Sequence, residues 1–244
     1  MRCIDFFSTR HLRVCAGLLL AALSLAFADA GPVLNVPEWR GELKVDGKLD
    51  EAGYRTPPLV SRFVVAGQPT ERPQPTKAWL FWQRERLIFV FECEDADIVA
   101  AAPSSNEHDV DAQDRVELFL WSGSREDAYA CIEIGALGAV HDYRARFYRR
   151  FDDAWSPAGW EHAVSRTPGG YRVEAALSRA ALEAIGFHLE PGARWRVGLF
   201  RADFSPRRAG SQPTWITWVD ANLPKPDFHV AQSFGEIVLV PAKK

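Results

Sequence analysis

From Leu43 to Val240 the chain is a succession of short β-branched and aromatic runs broken by turn residues, with one short helical stretch among them. That pattern excludes a helical bundle and the regular strand–helix alternation of a parallel α/β fold, and it predicts two antiparallel sheets packed face to face. Strands are expected at Lys77 to Gln83, Leu87 to Glu94, Val116 to Trp121, Ala128 to Gly135, Ala139 to Phe147, Glu161 to Arg166, Tyr171 to Leu177, Trp195 to Phe204, Thr214 to Val219 and Gly235 to Val240. The first two are spaced as a hairpin, and because both are apolar on two faces they are expected to lie centrally in a sheet. Ser178 is a plausible N-cap for a short helix of good helix formers that runs to Gly186. Clusters of proline and small residues at 57–58, 69–75, 103–105 and 206–213 read as surface loops.

Arg2, Arg10, His11 and Arg13 precede an apolar run from Val14 to Phe27 that ends in small residues. Residues 1–30 are therefore expected to be a cleaved export signal, with 31–244 forming one domain and a secreted or periplasmic destination. The run is shorter than a bilayer-spanning helix requires. With 29 basic and 32 acidic residues the chain is nearly balanced, which argues against nucleic acid or an anionic membrane as partner. Cys3 and Cys15 fall in the leader. Cys93 and Cys131 fall in strand-like runs, where they are either a disulfide between neighbouring strands or two buried small apolar residues.

Several blocks in order carry a resemblance: Val45-Asp46-Gly47-Lys48-Leu49-Asp50-Glu51, the hairpin LFWQRERLIFVFECEDADI, Gln113-Asp114-Arg115-Val116-Glu117-Leu118-Phe119-Leu120, Gly170 to Leu177 with its helix, Trp195 to Arg201, and Phe228-His229 leading to Phe234-Gly235. Together they resemble the family 9 carbohydrate-binding modules. The resemblance implies an all-β, two-sheet antiparallel β-sandwich of jelly-roll type with one short helix. It also implies non-catalytic binding of oligosaccharides or polysaccharide ends, often as a module attached to a xylanase. Such sites pair aromatic faces with groups that hydrogen-bond sugar hydroxyls.

Carried over residue by residue, the pattern places a stacking ring at Phe228 and carboxylates at Glu117 and Glu133. The other stacking position falls near Val110 or Asp111, which cannot stack, so a loop aromatic is expected to replace it, with Trp155 the candidate. Trp218 closes a strand before the loop leading to Phe228 and is a further candidate, whereas Trp79, Trp82, Trp121, Trp195 and Trp215 read as core. Arg201 is a candidate donor on an apolar strand, with a buried Glu117–Arg201 ion pair as the structural alternative.

Asp109, Asp111 and Asp114 concentrate carboxylates in one loop. They are candidate ligands for a structural calcium ion, which the resemblance also implies, or ordinary turn aspartates. No other cofactor is called for. No paired His or Cys spacing signals zinc, and haem lacks both a Cys-x-x-Cys-His site and any methionine beyond Met1. No nucleophile-elbow or phosphate-loop motif is present. The rival readings are a structural sandwich that docks an exported protein partner and, third, a glycoside hydrolase.

Overall fold

The computed structural model describes residues 31–204 and 213–242, so the expected export signal and most of the 206–213 loop lie outside the described residues. In chain order the strands are β1 (Val33–Pro37), β2 (Val64–Val65), β3 (Thr76–Gln83), β4 (Arg86–Glu94), β5 (Arg115–Trp121), β6 (Tyr129–Gly135), β7 (Val140–Arg146), β8 (Arg150–Asp152), β9 (Trp160–Thr167), β10 (Gly170–Ser178), β11 (Arg194–Asp203), β12 (Thr214–Thr217) and β13 (Gly235–Val240). The helix α1 spans Arg179–Glu183, and the Ser178 side chain caps it by accepting from the Ala181 N–H at 3.1 Å. All ten expected strands are found. β1, β2 and β8 are found in addition, the last two only two and three residues long.

The strands form a two-sheet sandwich. The large sheet runs β1-β13-β11-β5-β6-β7-β8, with β12 and β2 added beside β11, and the small sheet runs β3-β4-β10-β9. Every pairing of named strands is antiparallel except β1 with β13, where the all-antiparallel expectation fails. The hairpin closes through Arg84-Glu85, with Gln83 opposite Arg86. Of its two strands β4 is central and β3 is an edge. β3 is apolar on both faces because Trp39, Leu43 and Tyr54 cover Trp79 and Phe81 on its outer side.

Strand alternation then assigns each face its chemistry. Val116, Leu118 and Leu120 of β5, Ile132 and Ile134 of β6, and Val197 and Leu199 of β11 point inward against Leu87, Phe89, Phe91, Val173 and Ala175 of the small sheet. The alternate residues Phe119 and Trp121, Tyr129 and Cys131, Tyr143, and Phe200 form a second, aromatic cluster on the outer face of the large sheet.

Two of the sequence blocks meet at one carboxylate. Glu174 is fully buried on β10, and its Oε2 accepts the N–H groups of Asp46 and Gly47 at 2.9 and 2.8 Å. Its Oε1 accepts the Tyr54 hydroxyl at 2.5 Å. Gly47 has φ 77°, a left-handed conformation that favours glycine, so the Asp-Gly turn is shaped to bring two donors to one buried acceptor.

Arg201 and Glu117 do not pair. The register sets Glu117 opposite Phe200 and Arg201 opposite Val116, so the two charges emerge on opposite faces of the large sheet. Arg201 is fully buried between the sheets, donating to Asp95 Oδ2 and Thr76 Oγ1, both at 3.1 Å, with its guanidinium 5.6 Å from the Tyr171 ring. The same parity separates the cysteines. Cys93 packs in the inter-sheet core and Cys131 in the outer aromatic cluster, and both are free buried thiols, which corrects the disulfide expectation. Burial pushes the Cys93 thiol up to about 11.

Replacing Arg201 with Leu strands Asp95 as a buried carboxylate. The expected loss is about 3–5 kcal/mol of unfolding free energy in urea denaturation. An Asp95→Asn, Arg201→Leu double variant is expected to recover part of it, because the fully buried charge is then gone and only Asp203 has lost a cation.

Candidate functional site

Beyond its aromatic cluster, the outer face of the large sheet turns polar. On β5 the outward positions read Trp121, Phe119, Glu117, Arg115, and on β6 Tyr129, Cys131, Glu133. On β7 they read Ala145, Tyr143, His141. The charged ends of these three rows form the floor of an open pocket of about 310 Å³, at the low end of small-ligand sites. Its rim comes from the turn at Glu107–Ala112, from β8 and the residues after it, from β12, and from the segment at 226–229.

At its centre Glu117 and Glu133 are direct cross-strand partners, and both point at one cation. Arg115 Nε stands 3.0 Å from Glu117 Oε1 and 2.6 Å from Glu133 Oε2. Each of these three buried atoms lacks an aligned hydrogen bond. The guanidinium is held from the other side by the carbonyl of Asp111, 3.0 Å from Nη1, and it lies 5.6 Å from the Trp215 ring. Tyr143 donates to Glu133 Oε1 at 2.7 Å. Burial, reinforced by the neighbouring Glu133 charge, pushes Glu117 up to about 8. Side by side, the two carboxyl groups set oxygen partners for sugar hydroxyls at the pocket floor.

The aromatic wall is layered. Phe228 is buried and stacks on Phe200 at 4.1 Å with an interplanar angle of 11°, and Trp215 meets it edge-on at 5.3 Å. His229 sits 2.9 Å from the Tyr129 hydroxyl, and burial, then Arg149, pushes it down to about 3, so it is a neutral ring at physiological pH. Phe151, 47% exposed on β8, stands 5.6 Å from Tyr143 and 5.2 Å from His229, presenting an open ring at the pocket. Arg149 forks onto Asp227, with Nη2 to Oδ1 at 2.8 Å and Nε to Oδ2 at 3.3 Å, and both residues line the rim.

Of the residues singled out in the sequence, the structure brings Glu117, Glu133 and Phe228 into this pocket together with Asp111. Three others lie elsewhere. Arg201 faces the sandwich interior, Trp218 packs on the inter-sheet core with its ring over Gly235, and Trp155 packs on the same core beneath Arg144. The open ring near this stretch is Phe151, which the sequence reading did not single out.

The acidic loop is dispersed as well. Asp109 accepts from Ser104 and Asn106, Asp111 faces His108 and His141, and Asp114 is buried near Asp95 and Asp203. Asp114 accepts the N–H groups of Val99 and Phe204, both at 2.5 Å, while burial and its acidic neighbours push its pKa up to about 7. Arg115 and Tyr143 were findable in the sequence, since each lies two residues from a polar outward position on its own strand. Trp215, Asp227 and Arg149 reach the pocket only through the tertiary fold.

The raised Glu117 carboxyl has a definite sign in stability. The folded state keeps this proton to about pH 8, whereas the unfolded chain releases it near pH 4.5. The folded state thus binds more protons across that window, and the residue's contribution to stability falls as pH rises through it. Glu117→Gln removes the dependence, so melting curves at pH 5 and pH 8 are expected to show the variant gaining on the parent chain toward pH 8.

No curated protein sequence matches the chain significantly. Among solved structures, a family 9 carbohydrate-binding module from Caldicellulosiruptor kristjanssonii in complex with cellotriose superposes with TM-score 0.62 at 16% identity, over 87% of this chain and 96% of the other. A family 9 module from the same organism in complex with glucose gives TM-score 0.53 at 18% identity, over 86% and 97%. These likenesses establish the shared sandwich fold. Residues 45–242 match the profile described as carbohydrate family 9 binding domain-like, and the chain belongs to that family.

Proposed function

We propose that the chain is a non-catalytic sugar-binding module and that the pocket over Glu117, Glu133 and Arg115 takes glucose or the end of a short gluco-oligosaccharide. The observation that carries this reading is the paired carboxyl floor beneath an exposed aromatic ring, which offers hydroxyl partners and an apolar face within one small pocket. The similar modules hold cellotriose and glucose, which supports that ligand class. The volume suits one or two rings, so recognition of a chain end is favoured over a long internal segment.

Catalysis is disfavoured by the arrangement of the acids. A glycosidase needs its two carboxyl groups on either side of the scissile bond. Glu117 and Glu133 instead lie side by side on adjacent strands with one guanidinium between them. Export fits the leader, whose basic residues precede an apolar run. A calcium ion, if the chain holds one, would be taken by the all-oxygen group Asp95, Asp114 and Asp203, whose donor chemistry suits a hard cation. Asp109 is already engaged by its own loop.

Titration calorimetry with glucose, cellobiose and cellotriose is expected to show saturable binding at one site per chain. Phe151→Ala is expected to weaken it about ten-fold with little change in melting temperature, since the ring is exposed. Phe228→Ala is a poor probe of stacking, because removing this buried ring costs about 3–5 kcal/mol of folding free energy. A folded protein that gives no heat with any of these sugars rejects the proposal and favours a docking role for this face.

A further inference from the structure

At the mouth of the same pocket His108 and His141 stand between two carboxylates. The rings are 4.5 Å apart, centroid to centroid, one on the turn at Glu107–Ala112 and the other on β7. On one edge Asp111 bridges them, with Oδ2 3.2 Å from His108 Nδ1 and Oδ1 3.1 Å from His141 Nδ1. On the other edge Asp153 spans both Nε2 atoms, each 3.9 Å from one of its oxygens. Those separations are too long for hydrogen bonds.

His141 decides what the cluster is for. It is 5% exposed, and its Nε2 is a buried atom without a hydrogen-bond partner. An orphaned buried imidazole nitrogen beside a second imidazole and a carboxylate is costly unless something occupies the gap. Zinc binds imidazole nitrogen and carboxylate oxygen at about 2.0–2.2 Å, which sets its neighbouring ligands roughly 3–3.5 Å apart. The four nitrogen–oxygen separations, 3.2, 3.1, 3.9 and 3.9 Å, lie within about half an ångström of that range. A carboxylate that bridges the far nitrogens of two ligating histidines is also the usual device for fixing ring orientation at a metal.

We propose that His108 and His141, through their Nε2 edges, and Asp153 form a site for one divalent cation of the zinc class at the mouth of the pocket, with Asp111 holding the two Nδ1 edges. The mixed imidazole and carboxylate donors select against calcium, which prefers oxygen alone. Half-exposed Asp111, Asp153 and His108 leave the cation reachable from solvent. This site stands independently of what the pocket below it binds.

The test is calorimetry of tag-free full chain with zinc chloride alone, repeated with cobalt(II) to follow the visible absorption of bound metal. The expected result is one zinc per chain, weakened at least ten-fold by His108→Ala and by Asp111→Asn, and unchanged by His188→Ala, which removes an exposed histidine outside the cluster. Both informative substitutions are at exposed positions, and melting curves without metal confirm that each variant is folded. No zinc binding by the parent chain overturns the proposal, and so does binding that both cluster substitutions leave unchanged.

Discussion

Everything in this sandwich depends on the large sheet having two buried faces. Its inward residues must be apolar, because they meet the small sheet with no water between. Its outward residues are free of that demand, yet most of the surface they form is also covered, by Phe228, Phe234 and Ala66 from the connecting segments. Only where that cover ends do Glu117, Glu133, Arg115 and His141 appear. The pocket is thus the uncovered end of a second core, and its floor is as stiff as the strands beneath it.

The charges obey the same constraint. Two arginines are buried within this sheet, one on each face, and each is surrounded by acids on its own side only. Arg201 with Asp95 and Asp203 bridges the sheets and ties the ends of β3, β4 and β11 together. Arg115 with Glu117 and Glu133 stays within one sheet, buried at the floor of the pocket. The inner cluster is a structural joint, whereas the outer one lines the open pocket, with Glu117 Oε1 and Glu133 Oε2 ion-paired to Arg115 but outside any aligned hydrogen bond.

Strand positions, the capped helix and the hairpin were legible because each rests on local chemistry: alternation, an N-cap serine, a short polar connection between two apolar runs. Glu117 and Glu133 were legible through the family pattern, and their direct pairing follows from the β5–β6 register. What failed was parity across strands. Arg201 reads as a neighbour of Glu117 until the β5–β11 register is known, and a shift of one residue reverses the face. Trp218 and Trp155 were chosen by their nearness to loops, but both rings turn back onto the core, while Trp215 and Phe151 turn outward. Side-chain direction at loop–strand junctions is a tertiary outcome, and local sequence holds no rule for it. The histidine pair was equally hidden, since its members come from separate elements and only folding makes them neighbours.

The two free cysteines among the described residues make the layered construction observable. Cys93 is sealed in the core between the sheets and Cys131 in the aromatic layer outside the large sheet. Neither can react with a thiol reagent until its own layer opens. The protein therefore carries two native clocks, one for each layer, and the order in which they are modified would report whether the binding face loosens before the sandwich itself comes apart.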